Sequence, residues 1–389
     1  GGRDQLVVDT AAAGDGERTR TRGDVMDWPL TGAYAATFFL TLGYLAMTSE
    51  HGARPPEAPA HERVSVVASR TVGSPIVRTA VKADAADRAS IGEEEWVVPD
   101  IEQLPDDAWG RLVRKGRDLT VETFAHIGPE VEDSAMRFAG NNLACQSCHL
   151  EAGTKQYGLP FIGVFGDFPQ YRAREGEVGT LEDRINGCMT RSMNGRPLPS
   201  DSEEMKAFVA YIKFLSTNRP VGSVTTGRGS GKMAELARPA NPEAGAAVFE
   251  QHCAVCHGND GLGQRAGTAG DGEGYVYPPL WGSDSFNDGA GMGRLITAAN
   301  FIRNNMPFGT THDAPVLTVE EAWDVAAYMV SMSRPHKSGL ESDFPNRTEK
   351  PVDAAYGPFV DGFSVEQHKY GPFQPIRDEL ATLKKSAPK

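Results

Sequence analysis

The chain has 389 residues, which is enough for two domains of about 100–150 residues with extensions. Its net charge of −13 argues against nucleic acid, and against a general attraction to anionic membrane surfaces. Five cysteines are an odd number, so pairing among themselves cannot account for all of them.

The N-terminal quarter contains one apolar segment between two polar ones. Residues 1–25 are polar and are predicted to be a disordered cytoplasmic tail. The stretch from Trp28 to Ser49 has no charged residue and is long enough for a bilayer core, which takes about 20 residues. Three preceding arginines favour a cytoplasmic N-terminus, so we predict a transmembrane anchor over residues 26–49 and a flexible stalk over residues 50–95. A secretory signal peptide is the alternative, although its apolar core is normally shorter.

Ordered structure is predicted to begin near Trp96. Asp106 and Asp107 are suited to open a helix that runs toward Leu119, because aspartate accepts hydrogen bonds from the first free N–H groups of a helix. A second helix is predicted around residues 135–138, just before the first cysteine pair. The first half therefore begins with helices that lead to the cysteines.

The second half repeats this plan. Residues 242–249 are predicted to form a helix with proline at its start, and both halves close with an amphipathic helix, over residues 202–215 and 318–331. The closing helices share a Glu-Glu pair and a tyrosine at an offset of 117 residues, from Tyr211 to Tyr328. The predicted boundaries are 96–218 for the first domain, 219–240 for a linker, 241–335 for the second domain, and 336–389 for an extended C-terminal tail packed on the domains.

Each half contains one C-x-x-C-H motif. The motifs consist of Cys145, Cys148 and His149, and of Cys253, Cys256 and His257. Two thiols on one turn can bond covalently to a haem while the adjacent histidine binds its iron, so each motif predicts one covalently bound haem c. A zinc site would need a second pair of ligands, and a thioredoxin-like motif would need a strand–helix crossover; neither accompanies the motifs.

A six-coordinate haem needs a second iron ligand from the opposite side. In the second domain Met306 is favoured, because the following Pro307 sets a rigid, extended turn that can hold a thioether against iron. The alternatives are Met292, in a Gly-rich loop, and Met329, on the closing helix.

The repeat indicates where the corresponding ligand of the first domain lies. An offset of 117 residues from Met306 leads to Met189, and Met193 is also near. Cys188 is the cysteine that the haem motifs leave over, and a thiolate is a strong ligand of ferric iron. The 117-residue offset of the repeat favours Met189, whereas the strength of a thiolate as an iron ligand favours Cys188, and we select Cys188. The remaining alternative is that Cys188 is only a small, buried hydrophobic residue.

Six segments carry a resemblance to a known family: residues 145–155, 168–175, 184–198, 253–263, 275–289 and 305–307. Together they resemble the thiosulfate dehydrogenases, dihaem cytochromes that form tetrathionate. The internal repeat predicts a mainly α fold of two tandem haem domains with long loops, and the resemblance implies that these domains are cytochrome c-like. The resemblance also implies that the first haem is the active site, ligated by His149 and Cys188, and that the second, with His257, is the electron exit. The implied substrate residues are Arg174 and Ser192, with Arg191 added because of its adjacency.

The implied reaction joins two thiosulfate dianions into tetrathionate and sends two electrons to a cytochrome or another redox acceptor. Fixed cations must offset the repulsion between the dianions. The cations between the first motif and residue 196 are Lys155, Arg172, Arg174, Arg184, Arg191 and Arg196, and acidic residues are equally frequent there. With the predicted anchor, the enzyme would lie on the periplasmic side of the inner membrane, where a membrane-bound acceptor is within reach.

Four other functions are compatible with parts of this pattern. A dihaem electron-transfer module would have no substrate and no oxyanion pocket. A sulfur enzyme that loads a carrier would need a partner protein with a reactive cysteine, and a dihaem peroxidase would need an open haem iron. A tetrathionate reductase would use the same site in the opposite direction. The unpaired Cys188 and the nearby arginines argue against the plain electron-transfer module.

Overall fold

The computed structural model describes residues 96–223 and 225–386, which form a mainly helical fold. The α-helices of this part are α1 (Ala108–Val121), α2 (Thr123–Ile127), α3 (Leu150–Gly153), α4 (Leu181–Met189), α5 (Glu203–Leu215), α6 (Pro242–His252), α7 (Ala254–His257), α8 (Leu295–Asn305), α9 (Val319–Ser331), α10 (Val365–Tyr370) and α11 (Gln374–Ser386). Two antiparallel hairpins accompany them, β1 (Gln170–Arg172) with β2 (Glu177–Gly179), and β3 (Gln264–Arg265) with β4 (Tyr275–Tyr277).

The predicted cytoplasmic tail, anchor and stalk lie outside the described residues. Within residues 96–223 and 225–386, no helix is both long and apolar enough to cross a membrane.

Each haem-motif domain is built on a crossing of its first and last long helices. Helix α1 packs on α5 in the first domain, and α6 packs on α9 in the second. An added Cβ atom at Gly116 would lie 2.0 Å from the carbonyl oxygen of Ala207, and one at Gly245 would lie 1.9 Å from that of Asp324. Glycine is therefore required at both crossings, where the two helix backbones approach closely. The same contact in both domains supports the internal repeat.

The predicted helices of the two crossings are all present. Asp107 caps α1 by accepting the N–H of Gly110 at 2.8 Å, and Ser202 and Thr318 cap α5 and α9 in the same way. Helix α6 carries proline in its first turn, where the missing N–H costs nothing. These starts depend on local hydrogen bonds, which explains why sequence alone locates them.

The prediction of a helix around residues 135–138 is wrong. Only a short 3₁₀ turn forms there, at Ser134–Met136. The N–H groups of Phe138 and Ala139 both bond to the carbonyl of Ile127, at 3.0 and 2.8 Å, instead of continuing a helix. Tertiary hydrogen bonding thus ends the turn and leads the chain directly to the first haem motif.

The C-terminal tail was predicted to be extended, but it contains the two helices α10 and α11. Ile376 and Leu380 are buried in the core of the second domain, and Leu383 packs against it. Their spacing of four and three residues places them on one face of α11. Burial of this apolar face accounts for a helix whose signal is weak in the tail as a whole.

Polar contacts join the two domains. The carboxylate of Asp284, in the second domain, accepts the backbone N–H of Asn142 at 3.0 Å and the hydroxyl of Tyr275 at 2.7 Å. Arg265 bridges Asp284 and Glu130, at 3.1 and 3.3 Å. Because Asn142 and Glu130 belong to the first domain, this network holds the two motif sites in a defined relation.

Candidate active site

Helix α4 positions Cys188, the cysteine that belongs to neither C-x-x-C-H motif. Thr180 begins the helix with a capping box: its hydroxyl accepts the N–H of Asp183 at 3.3 Å, and the Asp183 carboxylate accepts the N–H of Thr180 at 2.8 Å. Cys188 lies in the last turn of the helix. Arg184, four residues earlier, lies on the same face of the helix and one turn away.

Arg184 contacts Cys188 directly, with its Nη1 atom 2.7 Å from the Sγ atom. Burial raises the pKa of the Cys188 thiol, but the charge of Arg184 and a hydrogen bond from His149 outweigh burial and lower this pKa to about 6. The side chains alone therefore favour a thiolate at neutral pH. A thiolate is the nucleophilic form of cysteine and also its metal-ligating form.

The first C-x-x-C-H motif lies on the same cavity as Cys188. Cys145 and Cys148 are held on one turn, and burial raises the pKa of both thiols to about 12. The Nδ1 atom of His149 lies 2.5 Å from the carbonyl oxygen of Leu159, which fixes the ring, so Nε2, which otherwise bonds to Cys188, is the nitrogen that would bind a metal.

The cavity has a volume of about 290 Å³, and its walls are largely apolar. Its lining includes Leu143, Cys145, Cys148, His149, Phe161, Leu181, Ile185, Cys188, Met189, Met193, Phe208 and Ile212. Two thiols for covalent attachment, one oriented imidazole and a thiolate around one apolar cavity fit a haem c with two axial ligands. The methionines that register suggested, Met189 and Met193, are buried in the core of the first domain and also line the cavity.

The structure separates the three remaining predicted substrate residues. Ser192 lines the cavity, and its backbone carbonyl accepts a hydrogen bond from Asn141 at 2.9 Å. Arg191 is buried away from the cavity and donates to Asp343 of the tail at 2.6 Å. Arg174 is also absent from the cavity walls; its Nε atom is 3.9 Å from Asp343, and its guanidinium lies over the ring of Phe344.

Two charged residues that were not among the predicted site residues, Asp167 and Arg228, line the cavity beside Arg184. Arg228, from the predicted linker, forms an ion pair with Asp167, and both side chains face the cavity. Arg184 was recognised only as one of six cations. The helical spacing from Arg184 to Cys188 is a signal that could have identified it, whereas the pair of Arg228 and Asp167 joins positions 61 residues apart.

The second motif has the same arrangement around its histidine. The Nδ1 atom of His257 lies 2.8 Å from the carbonyl oxygen of Pro278, so Nε2 is again left for iron. Burial lowers the pKa of His257, which favours the neutral, ligating imidazole. Met306 caps the C-terminus of α8, and its N–H donates to Ile302 at 2.8 Å. Met329 is buried in the domain core, and Met292 packs against that core.

Comparisons with known proteins agree with this architecture. The family model "SoxA/TsdA, cytochrome c domain" matches residues 136–221, and the model "Cytochrome c" matches residues 242–333. Thiosulfate dehydrogenase of Stutzerimonas stutzeri is 38% identical over 281 residues, which cover 71% of this chain and 86% of that protein. The chain belongs to the thiosulfate dehydrogenase family. As a member with two cytochrome c domains, it carries two covalently bound haem c groups.

Two further relatives extend the comparison. Thiosulfate dehydrogenase of Allochromatium vinosum is 42% identical over 243 residues, which cover 61% of this chain and 84% of that protein. The structure of thiosulfate dehydrogenase (TsdBA) from Marichromatium purpuratum superposes with a TM-score of 0.58 at 33% identity, over 74% of this chain. The present chain spans 55% of the length of that TsdBA chain.

The ion pair between Arg191 and Asp343 is expected to contribute to the stability of the fold and not to substrate binding. We expect Asp343→Asn to lower the free energy of unfolding by about 2 kcal/mol, because the buried Arg191 loses the negative charge that it pairs with. The KM for thiosulfate should stay unchanged, since neither residue lines the cavity. Urea denaturation and steady-state kinetics measure the two effects, with the exposed neighbour Glu341→Gln as control. A raised KM at unchanged stability would instead indicate that Asp343 acts on the substrate.

Proposed function

We propose that this enzyme oxidises two thiosulfate ions to tetrathionate at Cys188. The observation that carries the proposal is the 2.7 Å contact between Arg184 and the Cys188 sulfur, in the cavity that also contains His149. A sulfur anion held beside a fixed cation is suited to both the nucleophile and the negatively charged substrate. A plain electron-transfer module would have no need of a paired, anionic cysteine in its haem cavity.

In the proposed reaction, the Cys188 thiolate bonds to the outer sulfur of the first thiosulfate. Two electrons leave as this sulfur–sulfur bond forms, and the product is a cysteine S-thiosulfonate. The second thiosulfate attacks the sulfur that bears the sulfonate group. The bond to Cys188 then breaks, its electron pair returns to the Cys188 thiolate, and tetrathionate is released. No proton is consumed, and two electrons are released for each tetrathionate formed.

The protein side chains supply charge and position for these steps. Arg184 stabilises the thiolate both as the attacking group and as the leaving group. Ser192 lines the same cavity and can donate a hydrogen bond to a sulfonate oxygen. Arg228 adds a second cation, which helps offset the repulsion between two dianions in an apolar cavity. Arg174 and Arg191 contact Asp343 of the tail and do not line the cavity, so this proposal gives them no role at the substrate.

The proposed haem-binding residues follow the arrangement of the two motifs. His149 and Cys188 would hold the iron of the first haem, and His257 and Met306 that of the second. When bound, the haems accept electrons one at a time and pass them toward a cytochrome or another redox acceptor.

The proposal is tested by incubating the purified holoenzyme with thiosulfate and ferricyanide. We expect one tetrathionate for every two ferricyanide ions reduced. Reduction without tetrathionate, or no reduction over a range of pH, would contradict the proposal. The second result would favour an electron-transfer module or a carrier-loading enzyme, whereas tetrathionate-dependent oxidation of a reduced acceptor would indicate the reverse reaction.

Arg228 provides a prediction on substrate binding. We expect Arg228→Gln to raise the KM for thiosulfate about tenfold with little change in kcat, as removal of one hydrogen bond to a charged group would do. Asp167→Asn should lower the KM, because it frees Arg228 from its ion pair.

The matched control is Arg238→Gln, which removes another linker arginine and its ion pair with Asp324, away from the cavity. An unchanged KM in Arg228→Gln, together with a shifted haem reduction potential, would show that Arg228 serves a haem carboxylate and not the substrate.

The cellular location is also a proposal. An anchor over residues 26–49 would hold the enzyme at the periplasmic face of the inner membrane, next to a membrane-bound acceptor. Cell fractionation tests this: the full chain should remain in salt-washed membranes, and a chain that begins at residue 50 behind a cleavable export signal should not.

A further inference from the structure

A loop of the first domain lies between the two haem sites. At one end of this loop, over residues 155–159, the carbonyl of Leu159 accepts the Nδ1–H of His149. Near its middle, the carbonyl of Tyr157 accepts a hydrogen bond from the side-chain amide of Asn305 at 2.9 Å. Asn305 directly precedes Met306 in the chain. The same short loop therefore contacts the iron-binding histidine of one domain and the methionine turn of the other.

Asn305 is held firmly in this position. Its side chain is 1% exposed, and its amide also donates to the carbonyl of Phe301 at 2.9 Å. His312, which follows the methionine turn, stacks on the ring of Tyr157 with the ring centroids 3.8 Å apart. Lys155 donates to the carbonyl of Thr310 at 3.4 Å, which adds a third contact between the loop and the turn.

The loop depends on its neighbours for its shape. Tyr157 and Leu159 both have a left-handed backbone, with φ of 56° and 55°, which non-glycine residues adopt at a cost. Their N–H groups donate to the carbonyls of Gly227 and Gly229, at 2.6 and 3.0 Å. The linker thus holds one side of the loop and the methionine turn holds the other, so loss of either set of contacts lets the loop relax.

We propose that Asn305 is a positioning residue that couples the two haems. It fixes the loop that orients His149, and the hydrogen bond from Nδ1 raises the basicity of this imidazole as an iron ligand. A more basic ligand stabilises ferric iron and lowers the reduction potential. Release of the loop weakens this bond and raises the potential of the first haem from the other domain. The inference rests on the proposed ligands His149 and Met306, and it is independent of thiosulfate turnover.

The test is a redox titration of the holoenzyme without thiosulfate. Electron paramagnetic resonance separates the haems, because a thiolate-ligated and a thioether-ligated haem give different signals. We expect Asn305→Ala to shift the midpoint potential of the thiolate-ligated haem to a more positive value. Tyr157→Ala keeps the carbonyl that accepts from Asn305 and removes only the ring that stacks on His312, so it should shift this potential less.

The matched control is Phe308→Ala. Phe308 is two residues beyond Met306 and 93% exposed, so its loss changes the same segment of the chain but removes no contact with the loop. A shift of the first haem in Asn305→Ala no larger than in Phe308→Ala would overturn the proposal. Should Asn305→Ala fail to retain both haems, Asn305→Ser decides the matter. It removes the amide that donates to the Tyr157 carbonyl and keeps a polar side chain, and an unchanged first haem there would also overturn the proposal.

Discussion

Cys188→Ala is expected to stop tetrathionate formation, with a loss of about 10³-fold or more, as removal of a covalent nucleophile does. The variant should keep both haems, because Cys145 and Cys148 attach the first haem and are untouched. Its first haem should lose the thiolate signal in electron paramagnetic resonance. Ferricyanide reduction, tetrathionate yield and haem content of the same preparation measure the three effects.

Two further variants separate the roles of Cys188. Cys188→Met supplies an iron ligand that cannot carry the thiosulfonate, so full turnover in this variant would exclude the covalent step. Met189→Leu is the matched control, since Met189 is adjacent, lines the same cavity and is the residue that register favours as ligand. If Met189→Leu loses the axial ligand of the first haem and Cys188→Ala keeps it, the ligand is Met189, as the offset of the repeat suggests, and not Cys188.

Local signals account for the parts of the fold that sequence predicts correctly. A C-x-x-C-H motif needs only five consecutive residues, and the starts of α1, α5 and α9 depend on caps such as Asp107 within one turn. The turn at residues 134–136 and helix α11 were not predicted from the sequence, for the opposite reason. Phe138 bonds to Ile127, and Ile376 packs on the distant core of the second domain, so tertiary contacts decide both elements.

The site shows the same division between local and distant information. Cys188 could be predicted as a site residue because it is the cysteine outside the two C-x-x-C-H motifs, and because the internal repeat places it next to the position of an iron ligand. Adjacency selected Arg191, but α4 ends at Met189, and the chain after it places Arg191 against Asp343. Arg184 lies on the helical face of Cys188, and its spacing of four residues identifies it from sequence only if a helix is predicted over residues 181–189.

The second large effect is expected for Arg184→Gln. This change removes the cation 2.7 Å from the Cys188 sulfur, so kcat/KM should fall about 10²–10³-fold, the usual loss for one group that stabilises charge in the transition state. Arg184→Lys should fall between this variant and the wild type. Lysine retains the charge but presents it as a single point on a flexible stem. Steady-state kinetics with thiosulfate measure the losses.

Arg172→Gln is the matched control for Arg184→Gln. Arg172 lies beside α4, within 3.7 Å of the position that a Cβ atom would occupy at Gly187, but its guanidinium pairs with Glu175 and does not line the cavity. If the general positive charge near α4 were sufficient, both variants would lose activity to the same extent. If Arg184 acts through the Cys188 sulfur, only Arg184→Gln loses activity, and the spectrum of its thiolate-ligated haem changes with it. Joining two dianions requires a cation at the bond that forms, and Arg184 is the cation that the structure places on that sulfur.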